Sequence, residues 1–394
     1  MCGQSCFSKL KMTQKSFTVY HTEWSTYGRN YQVCDLPINF IPAISYAFVN
    51  VDASGNVMIA DPYATIEKRF TDKGVLPLDN WNENGPFYGN FNQFLKLKQQ
   101  GIPYKLTLAV GGWTFSKHFS SAVLPANQGN FVHSLVQLCL KYPIFDGISL
   151  DWEYLSNDNT NYGNPGNSTH PNDEQHFISF LVLLRQELTR HGLNFIISFC
   201  CAADPLKAKF NVKAINDLVD ELHIMTYDFH SGNWGETITA HQSNTYPCSY
   251  AKLSVLDSVQ AYLRLGASSE KIMIGVVAYS RGFSNTNGLG HSAQGGSTDK
   301  TWEEGIVDYK CLPLPGAQEY YDDKAGATYS YDPQKRILNS YDSPASIKAK
   351  CKLVHDMNLK GCLLWESSGD YPINHPKSVI AAMHKYLIKN DFND

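Results

Sequence analysis

Hydrophobic and polar positions along this chain fall into two alternating textures. Short β-branched or aromatic runs (Phe17–His21, Ala43–Val49, Tyr104–Val110, Gly147–Glu153, Asn194–Cys201, Glu221–Tyr227, Lys271–Tyr279 and Gly361–Glu366) are separated by stretches of helical periodicity such as Glu174–Arg190 and Ser346–Met357. Apolar runs of this length predict parallel strands buried on both faces. Eight of them alternating with helices predict an α/β fold of the (β/α)8 barrel type. A doubly wound open sheet is the main competitor, but no Gly-rich phosphate-binding turn follows the first run.

Spacing between the runs locates the insertions. A barrel of about 250 residues allows roughly 30 per unit, and the interval from Tyr279 to Gly361 is far longer. The excess predicts a small α+β insertion domain, residues 282–338, between strand seven and helix seven. The barrel would then comprise residues 17–281 and 339–390, after an N-terminal tail of residues 1–16. A lesser excess between Asn50 and Tyr104 carries Trp81, Phe87, Tyr88 and Phe91 among Asn and Gly, and these aromatics are expected at the surface. A third, Ser156–Asp173, is a polar stretch directly after the fourth run. No internal repeat or linker divides the chain.

Chemistry concentrates in Phe145-Asp146-Gly147-Ile148-Ser149-Leu150-Asp151-Trp152-Glu153-Tyr154. Alternate residues of a strand face opposite ways, so Ser149, Asp151 and Glu153 share one face. Two carboxylates so placed repel each other and lose hydration, which folding alone would not favour. Active sites of α/β barrels lie at the carboxyl ends of the strands. Gly111-Gly112-Trp113, Tyr227-Asp228 and Trp365-Glu366 end other runs, so all point to the same mouth.

Composition narrows the partners. With 33 basic against 37 acidic residues the formal net charge is -4, which offers no footprint for nucleic acid or an anionic membrane. A neutral substrate fits better. The 23 Tyr, 20 Phe and 7 Trp supply flat faces of the kind carbohydrate sites use. The ten cysteines lack metal-like spacing and read mostly as reduced. Met1–Met12 lacks the apolar segment of a secretory signal, so the chain is expected to be intracellular, exported without a cleaved signal, or trimmed. No run is long and apolar enough for a membrane span.

With those residues assembled, the chain resembles the glycoside hydrolase family 18 chitinases over roughly residues 17 to 386. Asp146, Asp151 and Glu153 match the first, third and last positions of that family's Asp-x-x-Asp-x-Asp-x-Glu signature. Val19–Trp24, Ser45–Phe48, Met225–His230, Tyr279–Gly282 and Leu363–Glu366 resemble its first, second, sixth, seventh and eighth strand segments. The resemblance implies a chitinase that hydrolyses β-1,4 links between N-acetylglucosamine units, using the substrate's own acetamido group as nucleophile. Glu153 would be the acid and then the base, Asp151 would hold the acetamide nitrogen, and Tyr227 its oxygen. Trp365 would floor the distorted sugar and Trp113 would face the next one. Tyr20, Phe48, Tyr154, Met225, Asp228, Tyr279 and Arg281 would be further contacts, with Asp146 in support.

Two positions depart from the pattern. Ser149 stands where the family has its second Asp, and Ala109 where it has the Ser of Ser-x-Gly-Gly. Loss of a buried negative neighbour makes ionisation of Asp151 and Glu153 easier. A non-catalytic chitin-binding lectin of the same fold is the runner-up, weakened by the presence of Glu153. An endo-β-N-acetylglucosaminidase acting on N-glycan cores is third, because such enzymes usually lack the long insertion. No cofactor or metal is implied, and a monomer acting on chitin or its oligosaccharides is expected.

Overall fold

The computed structural model describes residues 14–205 and 209–393. Most of the predicted N-terminal tail therefore lies outside the described residues. Thirteen strands are present among the described residues: β1 (Ser16–Thr22), β2 (Ala43–Val51), β3 (Val57–Ile59), β4 (Lys105–Gly111), β5 (Gly147–Asp151), β6 (Ile196–Ala202), β7 (Glu221–Met225), β8 (Ile272–Val277), β9 (Arg281–Phe283), β10 (Gln318–Asp322), β11 (Ala327–Asp332), β12 (Ile337–Tyr341) and β13 (Gly361–Trp365).

Eight of these are parallel and close on themselves in the order β1-β2-β4-β5-β6-β7-β8-β13, with β13 returning to β1. Closure leaves no free edge among the eight, so their backbone donors and acceptors are paired within the barrel. All eight predicted runs are barrel strands, but several end early. Glu153, Tyr227, Tyr279 and Glu366 stand just beyond the last paired residue of β5, β7, β8 and β13. That places their side chains at the carboxyl mouth rather than in the wall.

Helices sheathe the barrel. In Asp173–Arg190, Phe177, Phe180, Leu181, Leu184 and Leu188 recur at helical spacing and are buried, with Asp173 and Glu174 in the first turn and Arg190 in the last, each sign favourable to the helix dipole. Phe180 stacks on Phe131 of the neighbouring helix Gln128–Lys141 with centroids 4.5 Å apart.

Between β8 and β13 the chain forms a separate antiparallel sheet, β10-β11-β12-β9, which begins at Arg281 and runs to Tyr341. Its one helical element among the described residues is the 3-10 turn Tyr309–Cys311, so the helical part expected there is missing. The physical reason is periodicity: from Thr328 to Asp332 every second position of β11 is buried and those between are half-buried, a sheet pattern. The aromatics expected on the Asn50–Tyr104 surface also divide. Trp81 is 70% exposed, whereas Phe91 is fully buried against Tyr46 and Tyr142. The eight described cysteines form no disulfide. No described helix is long and apolar enough to cross a membrane.

Candidate active site

Strand β5 sets the geometry. Ile148 and Leu150 face the helices, and Trp152 stacks on Phe119 (5.4 Å) and meets Phe177 edge-on (5.7 Å), which fixes the outward side. Ser149 and Asp151 consequently point into the barrel, and both are buried. Glu153 rises past the strand end. Its backbone N–H donates to Ser116 Oγ (2.8 Å), its carbonyl accepts from Asn167 Nδ2 (3.0 Å), and its carboxylate accepts from the Trp113 N–H.

The Gly111-Gly112 pair makes that last contact possible. Both have positive φ (104° and 78°), and a Cβ would lie 2.3 Å from the Asp151 carbonyl at the first and 2.7 Å from the Phe48 ring at the second. Only glycines let β4 turn this close to β5. Trp113, carried outward by the turn, is 48% exposed.

Burial dominates the electrostatics. Desolvation pushes the Glu153 carboxyl well above its ordinary range, and the negative fields of Asp151 and Asp228 add to it, while the Tyr154 hydroxyl opposes. Desolvation raises Asp151 as well, opposed by the Cys200 thiol. The two carboxyls titrate as a pair, and the pair holds a proton near neutral pH with Glu153 the better seat. One atom has no partner: Asp151 Oδ1 is buried and accepts no hydrogen bond. Tyr227, beside it, stays a neutral donor because burial raises its phenol, reinforced by Tyr279 and Asp151.

Beneath Asp151 the two departures are direct neighbours, since Ala109 and Ser149 are paired in register. The space holds a polar chain. Tyr20 Oη lies 3.1 Å from Ser149 Oγ, 3.2 Å from Cys200 Sγ and 3.0 Å from His223 Nδ1, and His223 Nε2 is 3.0 Å from Glu221. An uncharged hydroxyl thus occupies a buried position facing Asp151, Tyr20 and Cys200. Ser149→Asp is expected to raise the proton affinity of the Asp151–Glu153 pair and move the alkaline limb of the pH–rate profile upward by on the order of one unit. An alkaline limb that stays in place removes this account of Ser149.

The aromatic candidates converge on β13. Trp365 stacks on Phe48 (5.7 Å, 24° between planes), leans on Tyr20 (5.7 Å) and approaches Trp24 (6.4 Å). Met225 and Tyr227 pack against the same cluster. Asp228 is clamped: Arg281 donates to it twice (Nε and Nη2, both 2.8 Å) and Tyr279 Oη once (2.7 Å), while the guanidinium lies over Trp234 at 4.9 Å. Asp146 falls elsewhere. It precedes β5 at the opposite end of the barrel and accepts from Lys98 Nζ (2.6 Å) and the Leu106 N–H (2.9 Å). It braces the strand, and the structure does not bring it to the mouth.

Residues 16–370 match the glycosyl hydrolases family 18. The chain belongs to this family. It is 35% identical to "Endochitinase 1" of Metarhizium robertsii over 89% of this chain and 81% of that one, and 34% identical to "Chitinase 1" of Aphanocladium album over 95% and 85%. Among solved structures it superposes on the catalytic domain of the psychrophilic chitinase B from Arthrobacter TAD20 with a TM-score of 0.85, at 26% identity and 95% coverage of both chains. Chitinase ChiA74 from Bacillus thuringiensis gives 0.84 at 25% identity, over 97% of this chain and 70% of that one.

Several residues around the site of this family 18 hydrolase, at the mouth or beneath it, escaped the sequence reading. Ser116, Cys200 and His223 come from three different segments and carry no local pattern that points to the site, and Asn167 opens an Asn-Ser-Thr acceptor pattern that does not foretell its contact with Glu153. Trp24 does have a signal, because it closes the Val19–Trp24 segment and is 39% exposed beside Trp365.

Proposed function

We propose that this family 18 hydrolase cleaves β-1,4 links between N-acetylglucosamine units of chitin or its oligomers, through attack by the substrate's own acetamido oxygen. The relatives named above are chitinases, which supports the substrate. The observation that carries the mechanism is the unpartnered, buried Asp151 Oδ1 beside a Glu153 that keeps its proton. A buried acceptor left open costs free energy until a donor arrives, and an acetamide N–H is such a donor.

Glu153 then protonates the bridging oxygen while Asp151 orients the amide and stabilises positive charge at the anomeric carbon. Tyr227 donates to the acetamide oxygen. Trp365 supports the sugar ring from below and Trp113 offers a face to the leaving sugar. Deprotonated Glu153 finally activates water, which opens the cyclic oxazolinium ion with retention. An enzyme nucleophile is disfavoured among the described residues, because Asp228 is held by Arg281 and Tyr279, and Asp151, two residues before Glu153, approaches from the same side as the acid.

We also propose that residues 282–338 wall one side of the cleft as an insertion domain on a barrel formed by 17–281 and 339–390. Arg29, in the loop after β1, pairs with Asp308 from that segment at 2.6 Å, and Trp302 lies within 5.2 Å of the same guanidinium. Product analysis on defined N-acetylglucosamine oligomers tests the mechanism. β-anomer is expected at early time, and oligomers lacking acetyl groups should be cut far more slowly. Early α-anomer, or equal rates on deacetylated oligomers, sinks the proposal.

A further inference from the structure

The polar loop that leaves Glu153 rejoins the fold at His170, Asp173 and His176. Asp173 opens the helix Asp173–Arg190, and the three-residue step to His176 keeps both on one helix face. His170 lies one further step back, in the loop. One donor atom from each residue lies within 4.8 Å of the others, and the two imidazole centroids are 4.9 Å apart.

The hydrogen bonding around this cluster is incomplete in a particular way. Asp173 is 2% exposed, and its Oδ2 accepts from the His170 N–H at 2.8 Å. The Ser120 hydroxyl also bonds the Asp173 carboxylate, while Nδ1 of His176 is buried with no partner. His170 Nδ1 accepts from the Asn172 N–H (3.1 Å), which leaves Nε2 as its ligating atom. The adjacent carboxylate, Glu174, is occupied by Asn157 Nδ2 (3.0 Å) and the Asn211 N–H (2.6 Å). A buried imidazole nitrogen without a partner is costly as it stands. In the tautomer with its proton on Nε2, His176 offers the Nδ1 lone pair to a cation, which the adjacent Asp173 charge would also favour.

We propose that His170, Asp173 and His176 bind a divalent ion of the zinc class, at a site separate from the one containing Glu153. Two imidazoles and one carboxylate are donors suited to Zn²⁺ and its neighbours rather than to Mg²⁺ or Ca²⁺, which prefer all-oxygen shells. Bonds of about 2.0–2.2 Å require donors roughly 3.3–3.5 Å apart in a tetrahedron. Small rotations of the two histidine rings supply that contraction, and water takes the fourth position. The Asp173 charge offsets the unfavourable positive end of the helix.

The ion has a structural consequence at the mouth. It would tie the end of the loop to the helix, and in that loop Asn167 holds the Glu153 carbonyl while the Ser168 N–H holds the Lys117 carbonyl (3.0 Å). Stiffening the loop steadies the backbone of Glu153.

The test uses the untagged full chain, stripped of metal and titrated with Zn²⁺ by calorimetry and with Co²⁺ by visible absorption. One ion per chain is expected, with tetrahedral Co²⁺ bands and a raised Tm. His176→Gln, at a half-exposed position, should fold normally, bind roughly tenfold or more weakly and lose the Tm gain. Glu153→Gln should bind as the parent does. No stoichiometric uptake by the parent chain overturns the proposal, as does unchanged affinity in His176→Gln, which would place the ion elsewhere.

Discussion

Replacing Glu153 with Gln is expected to lower kcat on N-acetylglucosamine oligomers by about 10²–10⁴-fold, the usual contribution of a general acid, equivalent to about 3–5 kcal/mol of barrier. The amide is nearly the same shape and can still accept from the Trp113 N–H and meet the Tyr154 hydroxyl, so the site should assemble. It cannot deliver a proton to a bridging oxygen. KM should change little, because the lost interaction develops only as the leaving oxygen gains charge. The alkaline limb of the pH–rate profile should also disappear from whatever activity remains, since the group whose ionisation abolishes the acid is gone. A variant within threefold of the parent would remove Glu153 from the proposed chemistry. One with unchanged kcat and a raised KM would make it a binding residue.

Parts of the molecule whose logic is local were legible in the chain. The two-residue period of a strand is short, so Ser149, Asp151 and Glu153 could be assigned to one face without knowing what lay opposite. Gly111-Gly112-Trp113 could likewise be placed at a strand end, and so at the same mouth, from the run it closes. Partnerships across long sequence distances were not legible. Tyr20 meets His223 across 203 residues and Ser149 across 129, and nothing near any of these three identifies the others. Asp146 belongs to the signature yet sits at the far end of the strand, because a motif defines spacing along the chain and five residues of strand separate it from the mouth. Phe91 and Trp81 share one polar-looking segment, and only the helix Gly89–Gln99, which turns Phe91 inward, tells them apart. The insertion shows the same limit: its length was visible as a surplus over the barrel repeat, but its sheet depends on pairing between β9 and β12 across the whole excursion.

Lys350 is the strongest case of this blindness, and its replacement is expected to cost the fold much of its stability. Lys348, Lys350 and Lys352 alternate along the helix Pro344–Asp356, and sequence alone cannot say which is inside. Lys350 is wholly buried. Its ammonium bonds Asp342 Oδ2 (2.6 Å), Ser243 Oγ (2.6 Å) and the Gly275 carbonyl (3.0 Å), which matches its three donors. Asp342, just after β12, also accepts from the Val277 N–H (3.0 Å), so one ion pair joins the inserted sheet, the helix and β8. Ser243 Oγ in turn reaches the Thr226 carbonyl (2.6 Å), next to Tyr227. Lys350→Met fills most of the volume but leaves Asp342 buried with its charge uncompensated, a loss of about 3–5 kcal/mol. For a chain of this length the unfolding entropy is roughly 0.8 kcal/mol/K, so Tm should fall by about 5 °C. Lys350→Met combined with Asp342→Asn should recover part of that loss, because the stranded charge is removed with its partner. Thermal unfolding of the parent, each single variant (Lys350→Met and Asp342→Asn) and the double variant reads both numbers. A single variant as stable as the parent, or a double variant worse than the sum of its parts, would mean that the pair is not what joins these elements.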